Sequence, residues 1–215
     1  MVIAIDGPAG SGKGTLAKEL AKRYNLVNID TGATYRCVAL KSLENNINIH
    51  DEEKLIELSN NINIELKEDG TVLLDGKDVT KEIRSKEVTE IVSPISSIIK
   101  VRENLVNIQR KISEGKNVVM EGRDICTVVF PNADYKIYLD ASVECRAKRR
   151  FEENKVKGIN MTYDEVIKNI KDRDYNDMHK EVGSLMRCDN QTYIDNTNLT
   201  IDEELEIIDK LINNN

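Results

Sequence analysis

The residues best suited to chemistry stand near the start of the chain, where positions 7–15 read Gly7-Pro8-Ala9-Gly10-Ser11-Gly12-Lys13-Gly14-Thr15. Glycines at 7, 10 and 12 let successive backbone N–H groups turn toward one point, where an anion would gather them. Lys13 is spaced to reach the β- and γ-phosphates of a nucleoside triphosphate, with a hydroxyl nearby to help hold magnesium. That hydroxyl comes one position late, because Gly14 fills the usual Ser/Thr site and Thr15 follows it. Such a loop needs a strand before it and a helix after it. The apolar run Val2-Ile3-Ala4-Ile5, closed by Asp6, supplies the first, and an amphipathic stretch from Lys13 to about Tyr24 supplies the second. The helix N-terminus adds its positive dipole end where a polyphosphate would sit. A surface loop that is glycine-rich by chance would explain neither flank.

Three further stretches carry charge that could serve this loop. Asp30-Thr31-Gly32-Ala33-Thr34-Tyr35-Arg36 follows a short apolar run, Leu26 to Ile29, and leads into a helix with Arg36 one turn inside. From there a guanidinium can turn a bidentate fork toward the crevice at the carboxyl edge of a sheet. The plainer alternative, a cap by Asp30 or Thr31 with a solvated Arg36, is the better reading of this stretch taken alone. Strand-like Val118-Val119-Met120 runs into Glu121-Gly122-Arg123-Asp124, again at a carboxyl edge. For Asp124 the alternative is a structural ion pair with Arg123 or with another helix. Finally, Arg146, Lys148, Arg149 and Arg150 lie on one predicted helix, with Lys155 and Lys157 beyond, and Gly158 separates it from a second helix reaching Arg173-Asp174. Runs like this are usually solvated faces. Two charged helices joined by a breaker favour a mobile flap instead.

The elements that must position these residues follow from periodicity. Leu16, Leu20 and Tyr24 share one helical face. Residues 51–60 read as a helix capped by Asp51, with Leu55, Ile56 and Leu58 inward. The period then changes to two: Ile62, Ile64 and Leu66, then Val72 and Leu74, with Asp69-Gly70 and Asp75-Gly76 as turns before Val79. This predicts a small antiparallel meander, read as an inserted lobe at about 60–84, with a longer hairpin packed on the core as the alternative. Residues 85–114 are helical, interrupted near Pro94, with Ile98, Val101, Leu105, Ile108 and Ile112 as the stripe and Gly115 as the stop. Tyr135-Lys136-Ile137-Tyr138-Leu139 and Thr192-Tyr193-Ile194-Asp195 read as strands. Ser142 caps the helix after the first of them, while Thr162/Glu165 and Thr200/Glu203 form capping boxes. Ile201, Leu205, Ile208 and Ile212 face inward on the last helix, and 213–215 read as a frayed end. The order predicts an α/β fold, a doubly wound parallel sheet of the phosphate-binding-loop NTPase type, with a small β insertion and a helical lid. The corresponding division is one domain over 1–215. Its core covers about 1–59, 85–145 and 188–215, with the inserted lobe at 60–84 and the lid at 146–187.

Composition removes several function classes. The net charge of −7 disfavours a general nucleic-acid surface, and the absence of Trp with only two Phe disfavours a base-stacking platform. Cys37, Cys126, Cys145 and Cys188 are far apart and only His50 and His179 accompany them, which does not suit a structural zinc site. No apolar run approaches the ~20 residues that span a bilayer. The first strand starts at once, leaving no room for a signal peptide, so the expected location is the cytoplasm.

A triphosphate loop leaves three classes open: a kinase for a small acceptor, a GTP-dependent switch, and an ATP-driven motor or binding protein. A switch should carry Asn-Lys-x-Asp for its base, but Asn154-Lys155 is followed by Val156-Lys157. A motor needs coupling segments for which this chain has little room. A kinase needs an acceptor site, arginines for the spreading equatorial charge and a water-excluding lid. Candidates for all three are present.

Taken together, Gly7–Thr15, Asp30–Arg36, Val101-Arg102-Glu103, Glu121-Gly122-Arg123-Asp124, Thr127-Val128-Val129-Phe130-Pro131, Tyr138-Leu139-Asp140-Ala141-Ser142 and Arg173-Asp174 resemble the bacterial cytidylate kinases. These belong to the nucleoside monophosphate kinases of the phosphate-binding-loop superfamily. The likeness runs over essentially the whole chain. It implies transfer of the ATP γ-phosphoryl group to CMP or dCMP with Mg2+, by a monomer that engages neither nucleic acid nor membrane. It implies that Lys13 and the arginines Arg36, Arg123, Arg146, Arg150 and Arg173 carry the chemistry. Residues 7–15 would hold ATP and Thr15 the metal. Thr31, Arg36, Ser93, Arg102, Arg123, Asp124, Arg173 and Asp177 would hold the acceptor. Within that set Arg36 and Arg123 would grip its phosphate, Ser93, Arg102 and Asp124 read cytosine, and Arg173 and Asp177 meet the ribose side. Arg146 and Arg150 would belong to the lid. A carboxylate near the N4 amino group, with Arg or Ser donors beside it, complements cytosine and mismatches uracil. Three departures from the family pattern bear on affinity: Lys180 for an arginine, Ser184 for a proline and Cys126 for a glycine. The alternatives are a kinase for another small acceptor such as UMP, and a non-enzymatic nucleotide sensor.

Overall fold

The computed structural model describes residues 1–67, 69–156 and 158–213. Lys157 and the frayed end expected at 214–215 lie outside them, and Asn213 is the last residue of the final helix. The architecture is α/β, with a parallel sheet and a small antiparallel sheet. The chain divides into two compact units, residues 1–26 with 119–215 and residues 27–118.

In the first unit, β6 (Val118–Gly122), β1 (Val2–Asp6), β7 (Tyr135–Asp140) and β8 (Thr192–Asp195) lie side by side in that order. β1 pairs in parallel with β7, Asp6 opposite Tyr138, and β7 with β8, Asp140 opposite Asp195. These register ends bring acidic and polar side chains to the carboxyl edge. The strand interiors, Ile3, Ile5, Ile137, Leu139 and Ile194, are buried against Leu16 and Leu20 of α1 (Lys13–Tyr24) and Leu205 and Ile208 of α8 (Ile201–Asn213). Arg23 and the Tyr24 hydroxyl both reach Asp209, tying α1 to α8. The helices α6 (Val143–Val156) and α7 (Tyr163–Met178) form a hairpin with its own small core of Ala147, Val166 and Ile170. Gly158, at φ 70°, breaks the chain between them, and Thr162 with Glu165 forms the capping box of α7.

The second unit begins with β2 (Val27–Asp30) and α2 (Thr31–Glu44), followed by α3 (Glu52–Asn61), which Asp51 caps. The antiparallel sheet is β3 (Ile64–Leu66), β4 (Val72–Leu74) and β5 (Lys77–Asp78). Asp75 and Gly76 both have positive φ, 50° and 82°, as a tight turn between right-twisting strands requires. Ile64, Val72 and Leu74 bury their side chains with Val38, Leu55, Val79, Ile83, Val88 and Leu105 in one core. α4 (Lys86–Ile95) continues through Pro94 for one residue, so the interruption falls at 96–98, before α5 (Ile99–Ser113). Gly115 has φ 70° just past that helix.

Candidate active site

In the first unit the loop of residues 7–15 leads from β1 into α1. Gly7, at φ 153°, lies against β7, so that a Cβ built there would stand 2.0 Å from the carbonyl oxygen of Leu139. Gly10 and Gly12 have φ of 79° and 97°, which L side chains rarely adopt. Lys13 is buried and curls back over the loop, donating to the carbonyl oxygen of Pro8 at 2.8 Å and more weakly to Ser11 Oγ at 3.4 Å. Burial pushes its ammonium down to about 7, and the charges of Arg123 and Arg173 push the same way against Glu121 and Asp6. Glu121 is close to the loop, with Oε1 3.5 Å from where a Cβ on Gly14 would lie.

Arg123 follows β6 and donates from Nε to Asp177 Oδ2 at 2.7 Å, while Lys180 Nζ donates to the other oxygen at 3.1 Å. Burial opposes the Arg123 charge, yet Asp177 holds it above its ordinary value. Burial would also raise Asp177, but Arg123, Lys180 and Arg173 bring it down to about 2. Asp124 is buried beside this cluster at the start of a short π-helical segment, Ile125–Val129. Arg146 is buried on α6, donating to the carbonyl oxygens of Ala141 at 2.9 Å and Ala9 at 3.1 Å, and pairing with Asp174 at 2.7 Å. Arg150 instead pairs at 2.9 Å with Glu153 on its own helix, half-exposed. Lys180, the family departure, thus occupies the Asp177 cluster. Cys126, the second, donates its backbone N–H to Asp6 Oδ2 at 2.8 Å. Ser184 Oγ, the third, lies 3.9 Å from Met186 Sδ.

In the second unit Asp30 caps α2, as the plainer reading expects, but Arg36 is not solvated. Asp30 caps α2 by accepting the Ala33 N–H at 3.1 Å, and its other oxygen takes Arg36 Nη2 at 2.7 Å and Arg84 Nη2 at 3.3 Å. Arg36 is therefore half-buried rather than solvated, with its Nε inside and without a hydrogen-bond partner. Burial would raise Asp30, but the two guanidiniums hold it below the usual carboxylate range. Gly32 leaves room for this arrangement, since a Cβ there would meet Arg36 Nη1 at 2.8 Å. Thr31 is buried in the same turn, its carbonyl oxygen accepting from the Thr34 hydroxyl. Ser93 and Arg102 share a second cluster: Ser96 Oγ donates to the Ser93 carbonyl oxygen at 2.8 Å, and Arg102 Nη1 donates to that of Ser96 at 2.8 Å. The Arg102 guanidinium also stacks over the Tyr35 ring at 5.2 Å.

Some contributors carried no assignment in the sequence. Arg149 donates to the Ser11 carbonyl oxygen at 3.2 Å and to Asn196, whose own amide reaches Ser11 at 2.8 Å and buried Glu204 at 2.7 Å. Arg149 belonged to the charge run, but nothing in the spacing singled it out. Arg84 is visible only through its partner Asp30, while Asp174 belongs to the Arg173-Asp174 motif but carried no role.

The chain also matches known proteins. A family model described as cytidylate kinase covers residues 3–214. A cytidylate kinase of Fusobacterium nucleatum is 50% identical over 212 residues, covering 99% of this chain and 97% of the relative. One from Caldanaerobacter subterraneus is 50% identical over 214 residues, with 99% and 95% covered, and one from Enterococcus faecalis is 47% identical over 213 residues, with 98% and 94% covered. Among solved structures, an uncharacterized protein from Eubacterium ventriosum has a TM-score of 0.53 at 14% identity, covering 100% of this chain and 99% of the other. A shikimate kinase from Bacteroides thetaiotaomicron gives 0.51 at 14%, covering 99% and 98%. These two likenesses show the fold alone.

Proposed function

The chain belongs to the cytidylate kinase family, and on that premise we propose that it transfers the γ-phosphoryl group of ATP to CMP or dCMP, giving ADP and the cytidine diphosphate. The observation that supports the reading is the loop itself, where Gly10 and Gly12 take left-handed φ and the buried Lys13 curls back over the backbone, with the positive charges of Arg123 and Arg173 acting on it. Polyphosphate is the anion that suits it. The loop amides and the α1 N-terminus cradle it, and Lys13 exchanges the Pro8 carbonyl for phosphate oxygens. The acceptor oxygen is already anionic, so positioning and charge stabilisation suffice and no general base is assigned. Arg36 and Arg123 grip the acceptor phosphate, with Thr31 beside Arg36. Ser93, Arg102 and Asp124 read cytosine, Arg173 and Asp177 take the ribose side, and Arg146 and Arg150 serve the lid over the donor.

The donor set suits Mg2+ arriving with ATP. Among the described residues no group of three or more His, Cys, Asp or Glu could hold a metal, whereas Thr15 offers an exposed hydroxyl in the first turn of α1. Magnesium bound there would neutralise charge on the β- and γ-phosphates, and Thr15 would be its protein ligand. We assign the core to about 1–59, 85–145 and 188–215, the acceptor lobe to 60–84 and the lid to 146–187. The enzyme works as a cytoplasmic monomer on free nucleotides. Among the described residues no helix is long and apolar enough to cross a membrane.

ADP release measured with CMP, dCMP, UMP, AMP and GMP tests the reading, and turnover should be fastest with CMP or dCMP. Preference for UMP, or ATP binding without acceptor-dependent turnover, overturns it. Asp124→Asn should lower the preference for CMP over UMP about tenfold or more while leaving ATP binding intact.

A further inference from the structure

Asp6 closes β1 immediately before the phosphate loop, is fully buried, and has no part in the roles above. A carboxylate cut off from water is costly unless its oxygens are paired. Both are: Oδ1 accepts the Ile125 N–H at 2.8 Å and Oδ2 accepts the Cys126 N–H at 2.8 Å. These amides belong to the two residues directly after Asp124, where the chain leaves β6 and turns into the π-helical segment. The Cys126 thiol adds a third tie to β1, donating to the Ala4 carbonyl oxygen at 3.5 Å. On the other side of that peptide, the Asp124 carbonyl oxygen accepts from Val128 at 2.8 Å and Val129 at 3.2 Å. Asp124 has φ −139° and ψ 27°, so no helix or strand fixes its direction. The anchors on the residues that follow it do. Only a carboxylate presents an acceptor to both amides at once, since Asn or Gln would turn an NH2 group toward one of them.

We infer that Asp6 is a positioning residue for recognition of the acceptor base: its carboxylate clamps the Ile125 and Cys126 amides and so aims the Asp124 carboxylate. The clamp also joins the base reader to the residue preceding Gly7, which couples the acceptor and donor halves of the first unit through one side chain. This rests on the proposed cytosine-reading role of Asp124.

A residue that merely anchors the core would, when changed, alter stability and disturb both substrates alike. A positioning residue moves the acceptor side selectively. The test is steady-state kinetics of full-length Asp6→Asn with CMP and UMP at saturating MgATP, together with an ATP titration. The KM for CMP should rise about tenfold and the CMP-over-UMP ratio of kcat/KM fall about tenfold, with the KM for ATP changing less than about twofold. Adding Asp6→Asn to Asp124→Asn should lower that ratio no further than Asp124→Asn alone. If Asp124→Asn leaves the ratio unchanged, the cytosine-reading role itself is wrong. If Asp124→Asn lowers it but Asp6→Asn does not, or if both KM values rise in parallel, the positioning role alone is overturned. Asp6→Ser, smaller and able to accept one N–H, is measured the same way should the amide prevent folding.

Discussion

Asp177→Asn removes a charge and almost nothing else from the first unit. The carboxylate is buried, takes Arg123 at 2.7 Å and Lys180 at 3.1 Å, and sits at about 2 in the folded protein. Against an ordinary value of about 3.9, that depression corresponds to roughly 2.5 kcal/mol of stability at pH 7. The sign follows from the direction: a depressed carboxylate stabilises above its unfolded pKa, and the contribution is lost as pH falls through the folded value. At pH 3 about half remains, close to 1.3 kcal/mol. The amide cannot replace this, because its NH2 group faces a second donor and two partly buried cations lose their counter-charge. Urea unfolding of both proteins at pH 7 and pH 3 measures the difference. Asp177→Asn should be less stable by about 2–3 kcal/mol at pH 7, and the gap should narrow by about half at pH 3. A gap of equal size at both pH values would mean that shape, not charge, is responsible, and would refute the electrostatic account of the cluster.

Two further outcomes follow from the donor loop. Gly7→Ala drives a Cβ to 2.0 Å from the Leu139 carbonyl oxygen, so it should cost about 3 kcal/mol in urea unfolding and weaken ATP binding at least tenfold; normal binding would show that the loop can yield. Burial holds Lys13 near 7, and a bound phosphate should return it toward its ordinary value. MgATP binding at pH 7 should therefore draw about half a proton onto the protein, read as buffer-dependent heat in titration calorimetry. Heat independent of buffer, or uptake unchanged in Lys13→Met, would contradict this.

Features governed by local chemistry were legible in the sequence. Caps act over three residues, so Asp51, Thr162/Glu165 and Thr200/Glu203 could be read directly, and so could the Asp75-Gly76 turn. The loop of residues 7–15 was legible for the same reason, since glycine, lysine and hydroxyl requirements all lie within one turn. The stretch Ile125–Val129 was not. Its apolar, β-branched run carries no helical period, and its first amide is taken by Asp6, 119 residues earlier. Arginine partners are hidden in the same way. Arg123 and Arg146 are obvious as charges, but their fixation by Asp177 and Asp174 comes from the packing of α7 and not from spacing.

That fixation bears on how an acidic chain handles anions. With a net charge of −7, the protein attracts nucleotides only through cations that are local and held in place. The arginines of α6 divide on this criterion. Arg150 pairs with Glu153 at the surface, a contact worth little, so it can leave for a phosphate at small cost. Arg146 has three partners, two of them backbone carbonyls and one of those, Ala9, inside the phosphate loop. Moving it would strand buried donors and uncover Asp174. Arg149 is tied to the same loop through Ser11 and Asn196. The N-terminal half of α6 is thereby fastened to the loop by two guanidiniums, while Arg150, next along the helix, pairs with Glu153 at the surface. On the proposed reading, Arg150 would reach a bound triphosphate from a lid helix whose first turns stay fastened to the loop by Arg146 and Arg149.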